Sequence, residues 1–176
     1  MNEKPVTLFQ GKYLSLVKEG HWEYAQRVGA TGAAIILAIT PAEKVLLVEQ
    51  YRIPVHARTI ELPAGITGDT GEDETDADAA KRELLEETGY QASKIEALIT
   101  GPSSSGLASE TVTIFLATGL KRIHAGGGIE NEKITVHEVA LSDLDAWLQQ
   151  KQTDGYMIEP KLFAALYFYG RTIRLK

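Results

Sequence analysis

The sequence predicts an α+β domain, a mixed sheet with helices on its faces, preceded by a small N-terminal β appendage. Three observations predict it. The predicted elements run strands, helix, strands, helices, so the strict strand–helix alternation of a doubly wound nucleotide fold is missing. Two apolar runs, 32–40 (GAAIILAIT) and 44–50 (KVLLVEQ), flank a turn at Pro41, Ala42 and Glu43. A capped helical stretch, 75–87, stops at Gly89.

Taken in order, residues 11–27 read as extended, with Tyr13, Leu14, Leu16 and Val17 followed by Trp22 and Tyr24. Residues 1–29 are therefore assigned to the appendage and 30–176 to the main domain. The runs 32–40 and 44–50 predict a β-hairpin with both strands well buried. Residues 58–62 make a further strand, ended by Pro63, Ala64 and Gly65, and the polar stretch 66–74 reads as a loop. Thr75 with Asp78 three positions on forms a capping box for the helix, and Gly89 supplies its stop. Strands follow at 95–100 and 111–118, around a loop at 101–109. Residues 125–131 hold three consecutive glycines and predict mobility unless a ligand orders them. Residues 134–141 read as a strand, and Ser142 as the cap of a helix reaching about Gln150, again with an acid (Asp145) three residues on. Pro160 opens a last helix to about Tyr169, its buried face drawn from Leu162, Phe163, Leu166 and Tyr167 or Tyr169.

Composition narrows the function. Apolar residues make up 44% and charged residues 24% of the 176, enough for a buried core. The absence of cysteine excludes a disulfide scaffold, a thiolate zinc site and a cysteine nucleophile. No signal-length or membrane-length apolar run occurs, which points to a cytoplasmic protein with no membrane partner. A net charge of −6 without a basic patch predicts no nucleic-acid partner. A polyanionic small molecule stays possible where divalent cations neutralise both sides. Neither G-x-G-x-x-G nor G-x-x-x-x-G-K-[ST] is present.

The chemistry is concentrated in 68–90, GDTGEDETDADAAKRELLEETGY. On a helix, Glu83, Glu86 and Glu87 project from one face within a turn of each other. Like charges at that spacing cost a few tenths of a kcal/mol per exposed pair, and anions near a helix C-terminus oppose the macrodipole. A divalent cation reverses both penalties, and hard carboxylate oxygens suit Mg²⁺ or Mn²⁺. Arg82, four residues before Glu86, can orient a carboxylate and leave its other oxygen to a metal. The bland alternative is an acidic amphipathic helix on a solvated surface. A calcium loop starting at Asp69 fails, because Glu74 occupies the position of its sharp-turn glycine.

Gly68, five residues, Glu74, seven residues, then Arg82-Glu83-Leu84-x-Glu86-Glu87-x-Gly89-Tyr90 resembles the Nudix box at every fixed position, with Tyr90 standing where an aliphatic residue is usual. One departure is visible. The family's box glycine usually lies in the strand-ending Pro-Ala-Gly element, here Pro63-Ala64-Gly65, three residues ahead of Gly68. Gln50-Tyr51-Arg52 followed by Glu61-Leu62-Pro63-Ala64-Gly65 further resembles the ADP-ribose pyrophosphatase and nucleoside diphosphate sugar hydrolase branch.

That resemblance implies an α/β/α sandwich and Mg-dependent hydrolysis of a nucleoside diphosphate sugar, ADP-ribose first, with Mn²⁺ able to substitute. It implies Glu83, Glu86, Glu87 and the Ala64 carbonyl as metal ligands, with Arg82 and Glu87 serving catalysis. Arg52 and Glu61 become substrate-binding residues, Arg52 as a phosphate or ribose contact rather than an ordinary surface arginine. Trp22 either stacks on the nucleobase, across a homodimer, or packs the appendage. The general base falls to Glu130 first, then Glu132, which is alternatively a ligand to another metal, then Glu110. His124, His137 and residues 103–105 carry no ligand or nucleophile pattern. The rivals are another Nudix pyrophosphohydrolase, acting on nucleoside triphosphates or dinucleoside polyphosphates, and a non-catalytic nucleotide-sugar sensor.

Overall fold

In the computed structural model, which describes residues 4–30, 32–68, 74–129 and 133–174, the layering is set by β4 (Gly32–Ala38). This strand is apolar on both faces, so alternate side chains feed two cores. Ala34, Ile36 and Ala38 pack with Leu46, Phe115, Ala80 and Leu84 on one side. Ile35 and Leu37 pack with Leu47, Ile114, Leu144, Leu148 and Leu162 on the other. The first core is closed by α1 (Asp76–Thr88), the second by α2 (Leu144–Thr153) and α3 (Lys161–Arg174), which makes an α/β/α sandwich.

The mixed sheet is divided in two. One half has the order β7-β4-β9-β8, built from β7 (Ala64–Thr67), β9 (Thr111–Arg122) and β8 (Tyr90–Pro102) around β4, with β4 and β9 parallel. The other has the order β10-β5-β6-β11, from β10 (Thr135–Ala140), β5 (Lys44–Arg52), β6 (Ala57–Glu61) and β11 (Met157–Ile158). The N-terminal sheet β1-β2-β3 is antiparallel, from β1 (Val6–Gln10), β2 (Leu14–Glu19) and β3 (Trp22–Arg27). Its first strand starts before the expected 11–27 stretch.

Four expectations are corrected. The turn at 40–44 forms, closed by the Thr40 amide donating to the Lys44 carbonyl at 2.8 Å, but the hairpin opens after the single bridge Ile39–Val45. Strands apolar on both faces need neighbours on both edges, and β4 finds them in β7 and β9, β5 in β6 and β10. Part of the expected loop at 66–74 is β7, whose pairing runs from Ile35–Ala64 to Gly32–Thr67. α2 is capped at Asp143 rather than Ser142, and the Ser142 hydroxyl donates to the Asp143 carboxylate at 2.9 Å. α3 runs past Tyr169, and Phe163 and Tyr167 are exposed while Leu162 and Ala165 fill the core.

α1 follows its signals. The Thr75 hydroxyl accepts the Asp78 amide at 3.2 Å, and Gly89 ends the helix at φ 76°. Of the glycine segment expected at 125–131, residues 125–129 are described, and they bond to the end of α1. The Gly127 amide donates to the Glu87 carbonyl at 2.8 Å and the Gly128 amide to the Glu86 carbonyl at 3.1 Å. These bonds satisfy the carbonyls that a helix end leaves orphaned.

Candidate active site

A cleft of about 400 Å³ opens where α1, β7, β5 and the N-terminal sheet meet. α1 contributes Arg82, Glu83, Glu86 and Glu87, so the spacing argument holds in three dimensions and all three acids share one wall. Gln50 and Arg52 from β5, Ala64, Gly65 and Ile66 from β7, and Arg27 from the N-terminal sheet complete the lining.

Glu87 is 5% exposed, and its carboxylate accepts the Ala64 amide at 3.0 Å. The element after Pro63 therefore orients Glu87 through its backbone N–H. Gly65 is required by packing: a Cβ there would lie 1.9 Å from the Glu83 carboxyl carbon. The missing side chain lets the Glu83 carboxylate settle directly against the β7 backbone.

The sequence pairs Arg82 with Glu86, but its main partner is Glu74. It donates from Nε and Nη2 to the two Glu74 oxygens at 3.0 and 3.3 Å, and from Nη1 to Glu83 at 2.6 Å and Glu86 at 3.4 Å. The Glu74 bonds above all, then Glu83, raise the Arg82 guanidinium beyond its ordinary value. One cation thus ties the entrance of α1 to two of the three acids.

Arg52 reaches across β5 and β6 to Glu61 with a bidentate fork, Nε–Oε1 2.8 Å and Nη2–Oε2 2.5 Å. Burial alone would raise the Glu61 carboxyl; Arg52 and the Thr59 hydroxyl outweigh it and hold the group below the ordinary range. Arg27, which sequence reasoning missed, donates to Glu110. The third base candidate is thereby engaged by a cleft-lining arginine. Arg27 had no signal in sequence, because only the docking of β3 beside the 103–110 loop, through Ala25 and Ser109, brings it to the acids.

Trp22 is 54% exposed on β3 and lies outside the cleft wall of a single chain. Its ring lies 5.7 Å from that of His21. Glu130 and Glu132 lie outside the described residues; Ile129, just before them, borders the cleft. His124 accepts the Gly126 amide on Nδ1 and His137 pairs with Glu49, both structural roles.

The residues also answer the question of a cation. Among the described residues no three Asp, Glu, His or Cys groups form a ready metal cluster. Arg82 holds Glu83 and Glu86, and Ala64 holds Glu87. Mg²⁺ keeps several waters and needs one or two carboxylates plus substrate phosphates, so hard oxygens along one wall fit it without a preformed cage.

With three acids and three arginines lining one cleft, the similarities to known proteins acquire a meaning. Residues 30–159 match the NUDIX domain family. The chain belongs to the Nudix family. It is thus a pyrophosphohydrolase of phosphorus-containing anhydrides, in a family whose hydrolysis is associated with Mg²⁺. This Nudix chain is 33% identical to a methanol dehydrogenase activator of Bacillus methanolicus over 156 residues, 85% of this chain and 83% of that one. It is 35% identical to an ADP-ribose pyrophosphatase of Bacillus subtilis over 143 residues, 77% and 76% of the two chains. The crystal structure of an ADP compounds hydrolase superposes with a TM-score of 0.77 at 17% identity, covering 99% of this chain and 94% of that one, which shows the fold alone. Among the described residues no helix is long and apolar enough to cross a membrane.

Proposed function

We propose that the protein hydrolyses the diphosphate linkage of nucleoside diphosphate sugars, with ADP-ribose the first substrate. The observation that carries this reading is the cleft itself, which Glu83, Glu86 and Glu87 line together with Arg27 and Arg52 around a space sized for a small molecule. The similarity to an ADP-ribose pyrophosphatase supports the choice of substrate.

Glu83, Glu86 and Glu87, with the Ala64 carbonyl, would hold Mg²⁺ or Mn²⁺. Bound there, the cation supplies positive charge to the pyrophosphate oxygens and acidity to the attacking water. Arg82 keeps Glu83 and Glu86 on one wall, and the Ala64 amide keeps the Glu87 oxygens facing inward. Arg52, set by Glu61, offers its fork to a phosphate or ribose. Glu130 accepts the proton of the water, with Glu132 second. Attack on one phosphorus breaks the anhydride and yields AMP and ribose 5-phosphate from ADP-ribose.

Residues 1–29 act as a dimerisation and base-binding element. Val6, Phe9, Leu14 and Leu16 leave the N-terminal sheet with an exposed apolar face, and Trp22 presents an exposed ring for a base. The test is a panel of ADP-ribose, GDP-mannose, ADP-glucose, NAD and a nucleoside triphosphate with Mg²⁺ and Mn²⁺, read by product identity. AMP plus ribose 5-phosphate, formed fastest from ADP-ribose, is expected. Pyrophosphate release from the triphosphate as the dominant reaction would overturn the assignment.

A further inference from the structure

The β5–β6 ribbon that carries Gln50 and Arg52 to the cleft is a cantilever. Among the described residues, β10 accompanies β5 only as far as the rung Thr135–Glu49. On the other edge, β11 accompanies β6 from Thr59 onward, so Arg58 and Ala57 precede its first rung. The rungs Tyr51–Arg58 and Arg52–Ala57 therefore stand beyond both flanking strands, ending in the 3-10 turn Ile53–Val55. A two-stranded ribbon without neighbours is marginally stable by its backbone bonds alone.

Side chains fix its pose instead, one staple on each face. On the cleft face Arg52 of β5 grips Glu61 of β6. On the opposite face the donor and acceptor strands are exchanged: Arg58 of β6 donates to Glu49 of β5 at 2.7 Å. Glu49, 7% exposed, sits at the last fully flanked rung. Each of its oxygens takes two donors. Oε1 accepts from Arg58 and from the Tyr156 hydroxyl at 3.4 Å; Oε2 faces His137 Nε2 at 2.9 Å and Lys151 Nζ at 3.3 Å. Lys151 is clamped in turn over the Tyr156 and Trp147 rings, at 4.3 and 5.2 Å. One carboxylate thus joins the overhang to β10 and α2.

We propose that Glu49, acting through Arg58, is a positioning residue that sets where the overhanging ribbon presents Gln50 and Arg52 to the substrate. The ribbon carries the substrate contacts Gln50 and Arg52, whereas the acids stand on α1, so the effect falls on KM more than on kcat. In Glu49→Gln a neutral amide would turn its NH₂ toward either Arg58 or Lys151, cations that cannot accept, and lose that charge-assisted bond. Burial opposes the Glu49 charge, yet the His137 and Lys151 bonds hold its carboxyl below the ordinary range, in keeping with a committed anion.

The inference rests on the nucleotide-binding reading of this cleft, and the test keeps the two apart by using whichever panel substrate the wild type hydrolyses fastest. Glu49→Gln and Arg58→Gln are each expected to raise KM about tenfold with kcat within about twofold, the double variant being no worse than the poorer single one. Arg58→Lys restores part of the loss, because an ammonium keeps the charge of the single Nη1 donation to Glu49 Oε1 on a shorter reach. Amide exchange should accelerate in residues 50–57 and stay unchanged in β4 and β9. Arg58 is half exposed, so its variants serve if Glu49→Gln does not fold. Unchanged KM in the Arg58 variants, or a fall in kcat at constant KM, would overturn the proposal. A preference for a substrate other than ADP-ribose would sink only the substrate reading.

Discussion

Glu87 is buried to 5% exposure, on a helix end whose dipole disfavours anions, with the Ala64 amide as an orienting donor. In the proposed function this carboxylate is a ligand of the divalent cation. Glu87→Gln retains an oxygen for the Ala64 amide and removes only the charge. Turnover is expected to fall by about a hundredfold or more, while the melting temperature stays near that of the wild type. Parallel kinetics and thermal melts check this; wild-type turnover would remove Glu87 from the ligand set. Gly65 shows the same site from the other side, since the Glu83 carboxylate occupies the space where any other residue would place its Cβ.

At the scale of elements, α1 is held at both ends by contacts that also serve the cleft. Its N-terminus is tied by Glu74 to Arg82, and its C-terminal carbonyls at Glu86 and Glu87 are capped by the amides of residues 127–128. The helix and the segment leading to Glu130 are thereby registered against each other. Gly126 makes this possible: at φ 74°, a Cβ would lie 2.4 Å from the Thr88 carbonyl carbon. Gly126→Ala is expected to cost about 2–3 kcal/mol, from backbone strain together with the lost close approach. Gly101→Ala, where a Cβ meets nothing within 4 Å, is the neutral comparison. Urea unfolding of the two variants measures the difference, and equal stabilities would refute the role given to Gly126.

Across the whole molecule, the buried acids set a pH dependence with a definite sign. Burial opposes the charge of Glu49 and Glu61, but their cationic and hydroxyl partners prevail, so both carboxyls are lowered from 4.5. Their contribution to stability is complete above the unfolded value of 4.5 and is lost as pH falls below it, through each group's depressed folded value. Melting temperature should therefore decline on acidification below that point. In Glu61→Gln, where nothing titrates at that position, the decline should be shallower from a lower neutral plateau. An identical slope in the variant would show that Glu61 does not carry the effect. The same scale explains the cleft, which no single element contains: α1, β7, β5 and the N-terminal sheet each bring one side.

Local sequence by itself determined α1, its caps, and the alignment of Glu83, Glu86 and Glu87, because helix periodicity and capping act over fewer than five residues. It also determined the apolar runs that became β4 and β5, and the box pattern that marks the family. Partner choice was decided only by tertiary structure. Residues 32–40 and 44–50 read as a hairpin, yet two strands buried on both faces satisfied their edges with different neighbours. β7 is four residues long and exists only because β4 is there to pair with it. Arg27 entered the site through the docking of β3, Glu74 took Arg82, and the amides of Gly127 and Gly128 found the carbonyls at the end of α1. Each of these depends on groups distant in the chain, where backbone hydrogen bonds and charges must find partners that no local pattern names.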